Sequence, residues 1–276
     1  MSYDKSVSDH YLHGNLLKAI EAALSHQGKS PETVTIDDLA SVDEFHIGGR
    51  LATDILIDQL NFSEQHHVLD VGCGLGGAAR YVASRYNNRV TGIDLAEEYI
   101  QTGNALCSWV KLENSVTLEH GSALLMPFQD SVFDGGYMLH VGMNIEDKTS
   151  LFKEIQRVLK PGATFAVYDV MRVRDGELSY PVPWAADSTI SKLSTPAEYK
   201  QALSNAGFEV INETYRREFA MEFFKQLREK TEAAGGPPSL GLHTLMRQSA
   251  AAKINNMIAN IANGYIAPVE IIASKP

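Results

Sequence analysis

Two aspartates beside a glycine-rich stretch are the residues whose types and spacing best fit chemistry. Asp70 stands two residues before Gly72, and Asp94 follows that glycine after about 20 residues. Carboxylates attract cations and accept hydrogen bonds from hydroxyl groups, whereas glycines let a ligand approach the backbone closely. The two aspartates and the glycines therefore predict a site for a nucleotide-like ligand with a free ribose.

A strand, a tight turn and a helix must position these groups. Val68, Leu69 and Val71 form a short apolar run, and residues 78–86 contain no helix breaker. A strand that runs through glycines into a helix N-terminus is a nucleotide-binding arrangement. The spacing Gly72-x-Gly74-x-x-Gly77 by itself also fits the dinucleotide fingerprint, so an NAD-dependent dehydrogenase stays open as an alternative.

Asp70 distinguishes between two cofactors. Its carboxylate would repel the pyrophosphate of NAD, whereas S-adenosylmethionine carries a sulfonium and an ammonium group and no phosphate. Asp94 ends the next predicted strand, where an acidic side chain accepts hydrogen bonds from an unphosphorylated ribose, which both cofactors have. The sequence therefore favours S-adenosylmethionine as the cofactor.

The pattern Asp70-x-Gly72-x-Gly74-x-Gly76 resembles motif I of the class I S-adenosylmethionine-dependent methyltransferases. The segment 45–49 (Phe-His-Ile-Gly-Gly) and a helical insertion before the last strand resemble, more narrowly, the bacterial sarcosine/dimethylglycine-type small-molecule methyltransferases. The resemblance implies methyl transfer to a small molecule, above all to an amine nitrogen as in sarcosine or dimethylglycine. O- or C-methylation of another small metabolite is the alternative acceptor chemistry.

The site prediction combines the cradle, the strand ends and this resemblance. The predicted cofactor contacts are His46, Gly49, Asp70, Gly72, Cys73, Gly74, Asp94, Leu95, Ser122, Ala123 and Leu139. His140 and Asn144 are the predicted catalytic residues, because they follow the fourth predicted strand on the ligand side of the sheet. The predicted substrate contacts are Tyr11, Asp169, Trp184 and His243.

The alternation of strands and helices predicts an α/β fold. We expect a Rossmann-like seven-stranded sheet with helices on both faces, an N-terminal helical lid and a helical insertion before the last strand. The lid is expected over residues 1–60 and the methyltransferase core over residues 61–276, with cap segments at 170–196 and 217–263.

Composition narrows the class of partner. A formal net charge of −10 over 276 residues argues against a nucleic-acid-binding protein. The two cysteines have no metal-ligand spacing, so we predict no metal, and they suit a reducing cytoplasm. We find no signal peptide and no apolar run of the ~18–20 residues that span a bilayer. We therefore expect a cytoplasmic protein with a small-molecule substrate and no membrane partner, and the sequence leaves a homodimer open.

Overall fold

The computed structural model describes residues 3–276, and it has an α/β architecture that begins with helices. The strands are β1 (His67–Val71), β2 (Arg89–Asp94), β3 (Val116–His120), β4 (Phe133–Leu139), β5 (Leu159–Arg172), β6 (Glu209–Tyr215) and β7 (Ile266–Ser274). The helices before β1 are α1 (Tyr3–Tyr11), α2 (Leu16–His26), α3 (Ile36–Asp43) and α4 (Gly49–Ile57). The later helices are α5 (Gly77–Tyr86), α6 (Glu97–Trp109), α7 (Lys148–Val158), α8 (Pro196–Asn205), α9 (Arg217–Ala233), α10 (Leu242–Met246) and α11 (Ala250–Ala262).

The seven strands form one sheet in the order β3-β2-β1-β4-β5-β7-β6. The pairings among β1 to β5 are parallel, and β7 runs antiparallel between β5 and β6. The strand order reverses at β1, since β2 lies on one side of it and β4 on the other. In open sheets of this kind ligands bind beyond the carboxyl ends of the strands at the point of reversal.

Helices cover both faces of the sheet, as the alternation of side chains along β1 makes clear. Successive strand residues point to opposite faces. Val68 packs in one buried cluster with Ala79 of α5, whereas Leu69 packs in another with Phe152 of α7. The predicted seven-stranded Rossmann-like sheet with helices on both faces is confirmed, and so is the helical insertion, because α9 to α11 lie between β6 and β7.

The N-terminal helices are attached to the carboxyl edge of the sheet by buried polar contacts as well as by apolar packing. The Arg80 guanidinium of α5 donates to the carboxylate of Asp43 at the end of α3 over 2.5 Å, and both side chains are fully buried. Glu98 of α6 accepts the backbone N–H groups of His13, Gly14 and Leu16 at the start of α2. These contacts hold α2 and α3 beside the glycine turn.

Within residues 3–276 no helix combines the length and apolarity needed to cross a bilayer.

Candidate active site

The turn that follows β1 is held open by glycines in the left-handed backbone region. Gly72, Gly74 and Gly76 have φ angles of 70°, 54° and 75°. A Cβ on Gly72 would lie 2.3 Å from a methyl carbon of Val141, and one on Gly76 would lie 2.7 Å from a methyl carbon of Leu118. Side chains at these two positions would clash, so the turn requires glycine and exposes backbone to any ligand above it.

A cavity of about 410 Å³ lies over this turn, within the size range of small-molecule sites. The predicted cofactor contacts in its wall are His46, Asp70, Gly72, Cys73, Gly74, Asp94, Leu95, Ser122, Ala123 and Leu139. Tyr11, His140 and Asn144 also line the cavity. Strand ends and an N-terminal helix thus bring most of the predicted site residues together.

Asp94 presents a carboxylate whose orientation is set by the backbone. Its two oxygens accept the N–H groups of Gly74 and Ala96, each over 2.8 Å. Burial raises the pKa of Asp94, and these two hydrogen bonds oppose that shift. Each oxygen keeps a further lone pair, so the carboxylate can accept the two hydroxyl groups of a ribose.

Asp70 is a buried carboxyl group at the end of β1, with 2% of its surface exposed. It accepts one hydrogen bond, from the Tyr137 hydroxyl over 3.2 Å. Burial raises the pKa of Asp70 to about 8. A cation in the cavity would favour the ionised form of this group, because opposite charge offsets the cost of desolvation.

Asn144 attaches helix α1 beside the cavity through its side chain and its backbone carbonyl. Its side-chain oxygen accepts the Tyr11 hydroxyl at 2.9 Å, and its amide nitrogen donates to the carbonyls of Trp184 and Ile190 at 2.9 Å each. The Tyr3 hydroxyl donates to the Asn144 carbonyl at 2.8 Å. These contacts attach α1 to the loop after β4. The side-chain oxygen of Asn144 keeps a second lone pair, and the catalytic role of this residue stays a prediction.

Both ring nitrogens of His140 hydrogen-bond to backbone groups. Its Nδ1 lies 3.0 Å from the Tyr168 carbonyl oxygen, and its Nε2 accepts the N–H of Ile47 over 3.3 Å. A carbonyl can only accept, so Nδ1 carries the hydrogen and both ring nitrogens are occupied. Burial lowers the pKa of His140 to about 3. Neither ring nitrogen is free for a substrate in this arrangement, and the catalytic role of His140 stays a prediction.

A second cavity of about 60 Å³ adjoins the first and has an apolar wall. Tyr11, Phe45, His46 and His140 line both cavities. The remaining wall consists of Ile47, Met143, Pro183, Trp184, Phe223, Phe224, Leu227, Leu242, Met246, Ile254 and Met257. None of the residues that line this cavity is an aspartate, glutamate, lysine or arginine. We call this second cavity the apolar chamber.

Of the residues that line the apolar chamber, Trp184 and Tyr11 were predicted substrate contacts, and Trp184 is 2% exposed. Sequence reasoning missed Phe223, Phe224 and Met257 as part of a site. The signal available for them was the apolar face of α9 and α11, but such a face does not reveal where the helix docks.

Three predicted site residues lie outside both cavity walls: Gly49, Asp169 and His243. Gly49 uses its carbonyl to accept a hydrogen bond from His46 at 3.0 Å. Asp169 is fully buried. Its carboxylate accepts hydrogen bonds from the N–H groups of Val141 and Gly142 and from the Tyr199 hydroxyl. Asp169 thus supports the loop after β4, and its contact with the substrate stays a prediction.

Among residues 3–276 no group of histidine, cysteine, aspartate and glutamate side chains has the arrangement of a metal site.

Comparison with known proteins agrees with this geometry. Residues 69–167 match the family model described as a methyltransferase domain. The chain is 29% identical over 171 residues to methyltransferase GfsG of Streptomyces halstedii, an alignment that covers 62% of this chain and 59% of that protein. Other relatives are named for O-, C- and N-methylation.

Solved structures share the fold over the whole chain. Geranyl diphosphate C-methyltransferase from Streptomyces coelicolor A3(2) superposes with a TM-score of 0.73 at 18% identity, covering 100% of this chain and 99% of that one. A candidate sarcosine dimethylglycine methyltransferase from Galdieria sulphuraria gives a TM-score of 0.65 at 17% identity, covering 94% and 98%. At this level of identity the likeness concerns the fold alone.

Proposed function

We propose that this chain, whose core is a methyltransferase domain of the S-adenosylmethionine-dependent class, transfers a methyl group to a hydroxyl oxygen of an apolar small molecule. The observation that carries the proposal is the apolar chamber that meets the larger cavity at His46 and His140. The family supports the transferred group, and the chamber supports the kind of acceptor. The dehydrogenase alternative has no support, since the matched domain is a methyltransferase domain.

The wall of the large cavity fits S-adenosylmethionine. Asp94 would hold the ribose hydroxyls, Asp70 would balance positive charge, and the glycine turn leaves backbone accessible. When bound, the cofactor supplies a methyl group on a sulfonium sulfur, which leaves as a neutral thioether when the acceptor atom attacks the methyl carbon. The protein contributes chiefly by holding the acceptor close and in line, which can supply roughly 7–11 kcal/mol of the barrier.

The apolar chamber disfavours a zwitterionic acceptor such as sarcosine. A buried carboxylate needs a cationic or hydrogen-bonding partner, and no lysine or arginine lines this cavity. A neutral hydroxyl group on an apolar body would bury without that cost. Relatives named as O-methyltransferases support the same acceptor atom.

We further propose that residues 1–60 act as a lid and that the segments 170–196 and 217–263 are caps. Tyr3 and Tyr11 of α1 hydrogen-bond to Asn144 beside the cavity, which is the contact a closed lid would make. Trp184 and Phe224 bring both caps to the apolar chamber. Closing such a site excludes water and strengthens the electrostatic interactions within it.

Calorimetry followed by a methyl-transfer assay tests the proposal. S-adenosylhomocysteine should bind the purified protein saturably, and NADH should not. With methyl-labelled cofactor, a panel of apolar phenols and alcohols should accept label in preference to sarcosine and dimethylglycine. Absence of S-adenosylhomocysteine binding would contradict the cofactor assignment, and transfer only to the two amino acids would contradict the acceptor assignment.

An amine acceptor is the second candidate, as expected from the sequence resemblance. The aromatic rings of Trp184 and Phe223 in the chamber wall could hold an alkylated ammonium by cation–π attraction. Including apolar tertiary amines in the same panel separates the two acceptors, because preferential label on nitrogen would favour this second function.

A further inference from the structure

His46 has one ring nitrogen that lacks a protein partner, at the junction of the two cavities. Its Nε2 lies 3.0 Å from the carbonyl oxygen of Gly49, and a carbonyl can only accept, so Nε2 carries the hydrogen. In the neutral ring Nδ1 then has a free lone pair. No residue between 3 and 276 hydrogen-bonds to Nδ1. Nδ1 is also absent from the fully buried polar atoms that lack a partner, so part of its surface is accessible. Nδ1 therefore remains accessible from the cavities that the ring lines.

A buried relay behind the ring fixes this tautomer. The Thr53 hydroxyl lies 3.0 Å from His46 Nε2 and donates its only hydrogen to Glu44 over 2.9 Å. The single Nε2 hydrogen is therefore shared between the Thr53 oxygen and the Gly49 carbonyl. Glu44 also accepts from the guanidinium of Arg50 over 2.5 Å. Thr53 and Glu44 are 0% and 2% exposed, so the relay is shielded from water. Every donor in it points away from Nδ1.

Three other polar side chains at the junction, those of His140, Tyr11 and Tyr168, hydrogen-bond within the protein. His140 has a partner on each ring nitrogen, and Tyr11 donates its hydroxyl to Asn144. The Tyr168 hydroxyl donates to the carbonyl of Ile47. The Nδ1 lone pair of His46 is thus an acceptor at the wall shared by the two cavities that no group of residues 3–276 uses.

We propose that Nδ1 of His46 takes the hydroxyl proton of the acceptor, and that Thr53 and Glu44 are positioning residues for its ring. The inference rests on the proposed function. The O–H bond breaks with its electron pair left on oxygen, and the proton binds the Nδ1 lone pair. The positive charge on the ring faces Glu44 through Thr53, and the proton then passes to water after product release.

A weak base is sufficient at this position. Burial lowers the pKa of His46 to about 4, so its ring is neutral and able to accept a proton at pH 7. An oxygen that gains a methyl group becomes positively charged, and its proton is then strongly acidic. General-base catalysis of this kind contributes about 10²–10⁴-fold to a rate.

Nuclear magnetic resonance of ¹⁵N-histidine-labelled protein tests the proposal without turnover. The probe is 2-naphthol, and its matched control is 2-methoxynaphthalene, which has no hydroxyl hydrogen. We expect His46, assigned with His46→Gln, to be protonated on Nε2, and its Nδ1 resonance to shift with 2-naphthol but not with the ether. A ring protonated on Nδ1, or an Nδ1 resonance unaffected by 2-naphthol, overturns the proposal.

Kinetics of three variants complete the test. His46→Gln should lower kcat by about 100-fold or more. Thr53→Val should lower kcat by about 10-fold and populate the Nδ1-protonated ring, and Thr53→Ser should restore both. Equal activities for Thr53→Val and Thr53→Ser would overturn the positioning role. Calorimetry with S-adenosylhomocysteine on the wild-type protein, Thr53→Val and Thr53→Ser keeps these outcomes separate from a failure of the cofactor assignment, since neither change at Thr53 should abolish that binding.

Discussion

The large cavity and the apolar chamber share four wall residues but differ in chemistry and in origin. The large cavity presents the carboxylates of Asp70 and Asp94 beside a glycine turn. The chamber wall contains no aspartate, glutamate, lysine or arginine. The large cavity is centred on the ends of β1 and β2, whereas Met143, Trp184, Phe224 and Met257 bring the chamber wall from segments far apart in sequence.

Under the proposed function, the large cavity binds the cofactor and the apolar chamber selects the acceptor. A charged wall built on strand ends suits one cofactor, and it follows from the geometry that any parallel sheet imposes. An apolar wall built from the caps has no such constraint, so its shape can change without altering the cofactor site. Changes in the two regions should therefore have separable effects, which the following predictions test.

The largest effect is expected at Asp94 in the cofactor region. Under the proposed function, Asp94→Ala would remove two charge-assisted hydrogen bonds to the ribose, each worth ~1.5–3 kcal/mol, so S-adenosylhomocysteine affinity should fall by about 100-fold or more. Calorimetry measures the change. Glu97→Gln, which alters an exposed carboxylate on the neighbouring helix, is the matched control.

Asp94→Asn is the control for a purely structural loss, because the asparagine side-chain oxygen can still accept one backbone N–H. Both Asp94 variants should leave the chamber's preference for an apolar probe unchanged. An affinity within about threefold of the wild-type value for Asp94→Ala would remove Asp94 from the cofactor site.

The intermediate effect is expected at Phe224 in the apolar chamber. Phe224 is 8% exposed, and Phe224→Ala opens the wall, so the acceptor KM should rise by roughly 10–50-fold while cofactor affinity stays the same. Steady-state kinetics with the best acceptor of the panel measures the change. Leu51→Ala, at a side chain that is 56% exposed and lines neither cavity, is the control.

Phe224→Ala should also lower the free energy of unfolding by roughly 3–5 kcal/mol, so Phe224→Leu serves as a milder variant. A parallel loss of cofactor affinity in Phe224→Leu would show that the two regions are coupled rather than separable.

The third prediction concerns the pH dependence that Asp70 contributes to the free energy of unfolding. Its pKa is about 8 in the folded chain against 3.8 for the free side chain, so the folded state retains a proton that the unfolded state has lost. The free energy of unfolding should therefore fall as pH rises between these values, by at most ~1.4 kcal/mol per pH unit from this group. Urea unfolding of cofactor-free protein should show a flatter pH dependence for Asp70→Asn.

Cofactor binding provides the complementary measurement. If the ammonium group of S-adenosylhomocysteine pairs with Asp70, binding should release up to about one proton per site at pH 7. Calorimetry in buffers of different ionisation enthalpy detects this release. Asp70→Asn should bind without this release. Parallel pH profiles for the two proteins, or equal proton release, would contradict the assignment of the raised pKa to Asp70.

Most of the predicted cofactor contacts line one cavity because their positions are local or follow from sheet geometry, and their contact with the cofactor stays a prediction. Gly72 and Gly74 lie next to Asp70, and Asp94 ends the neighbouring strand. Parallel strands bring their carboxyl ends to one edge, so residues at those ends could be assigned to one cavity before any coordinates were known.

The same rule placed Asp169 and Asn144 on the ligand side, and their roles stay predictions. Asp169 lies within β5 and Asn144 follows β4, and their hydrogen-bonding atoms contact Tyr199, Tyr11 and backbone groups. Which partner a polar side chain finds depends on loops and helices distant in sequence. His46 differs for the same reason, because its free nitrogen results from the contact with Thr53 and Gly49.

The sheet covered by helices on both faces, the glycine turn and the carboxylates beside it could be predicted from the sequence alone. These follow from hydrophobic periodicity, from the freedom of glycine at positive φ and from the alignment of strand ends. The apolar chamber, the hydrogen bonds that attach α1 to Asn144 and the accessible nitrogen of His46 are visible only in the tertiary structure. Each of these depends on contacts between distant segments, and such contacts are set by packing rather than by local pattern.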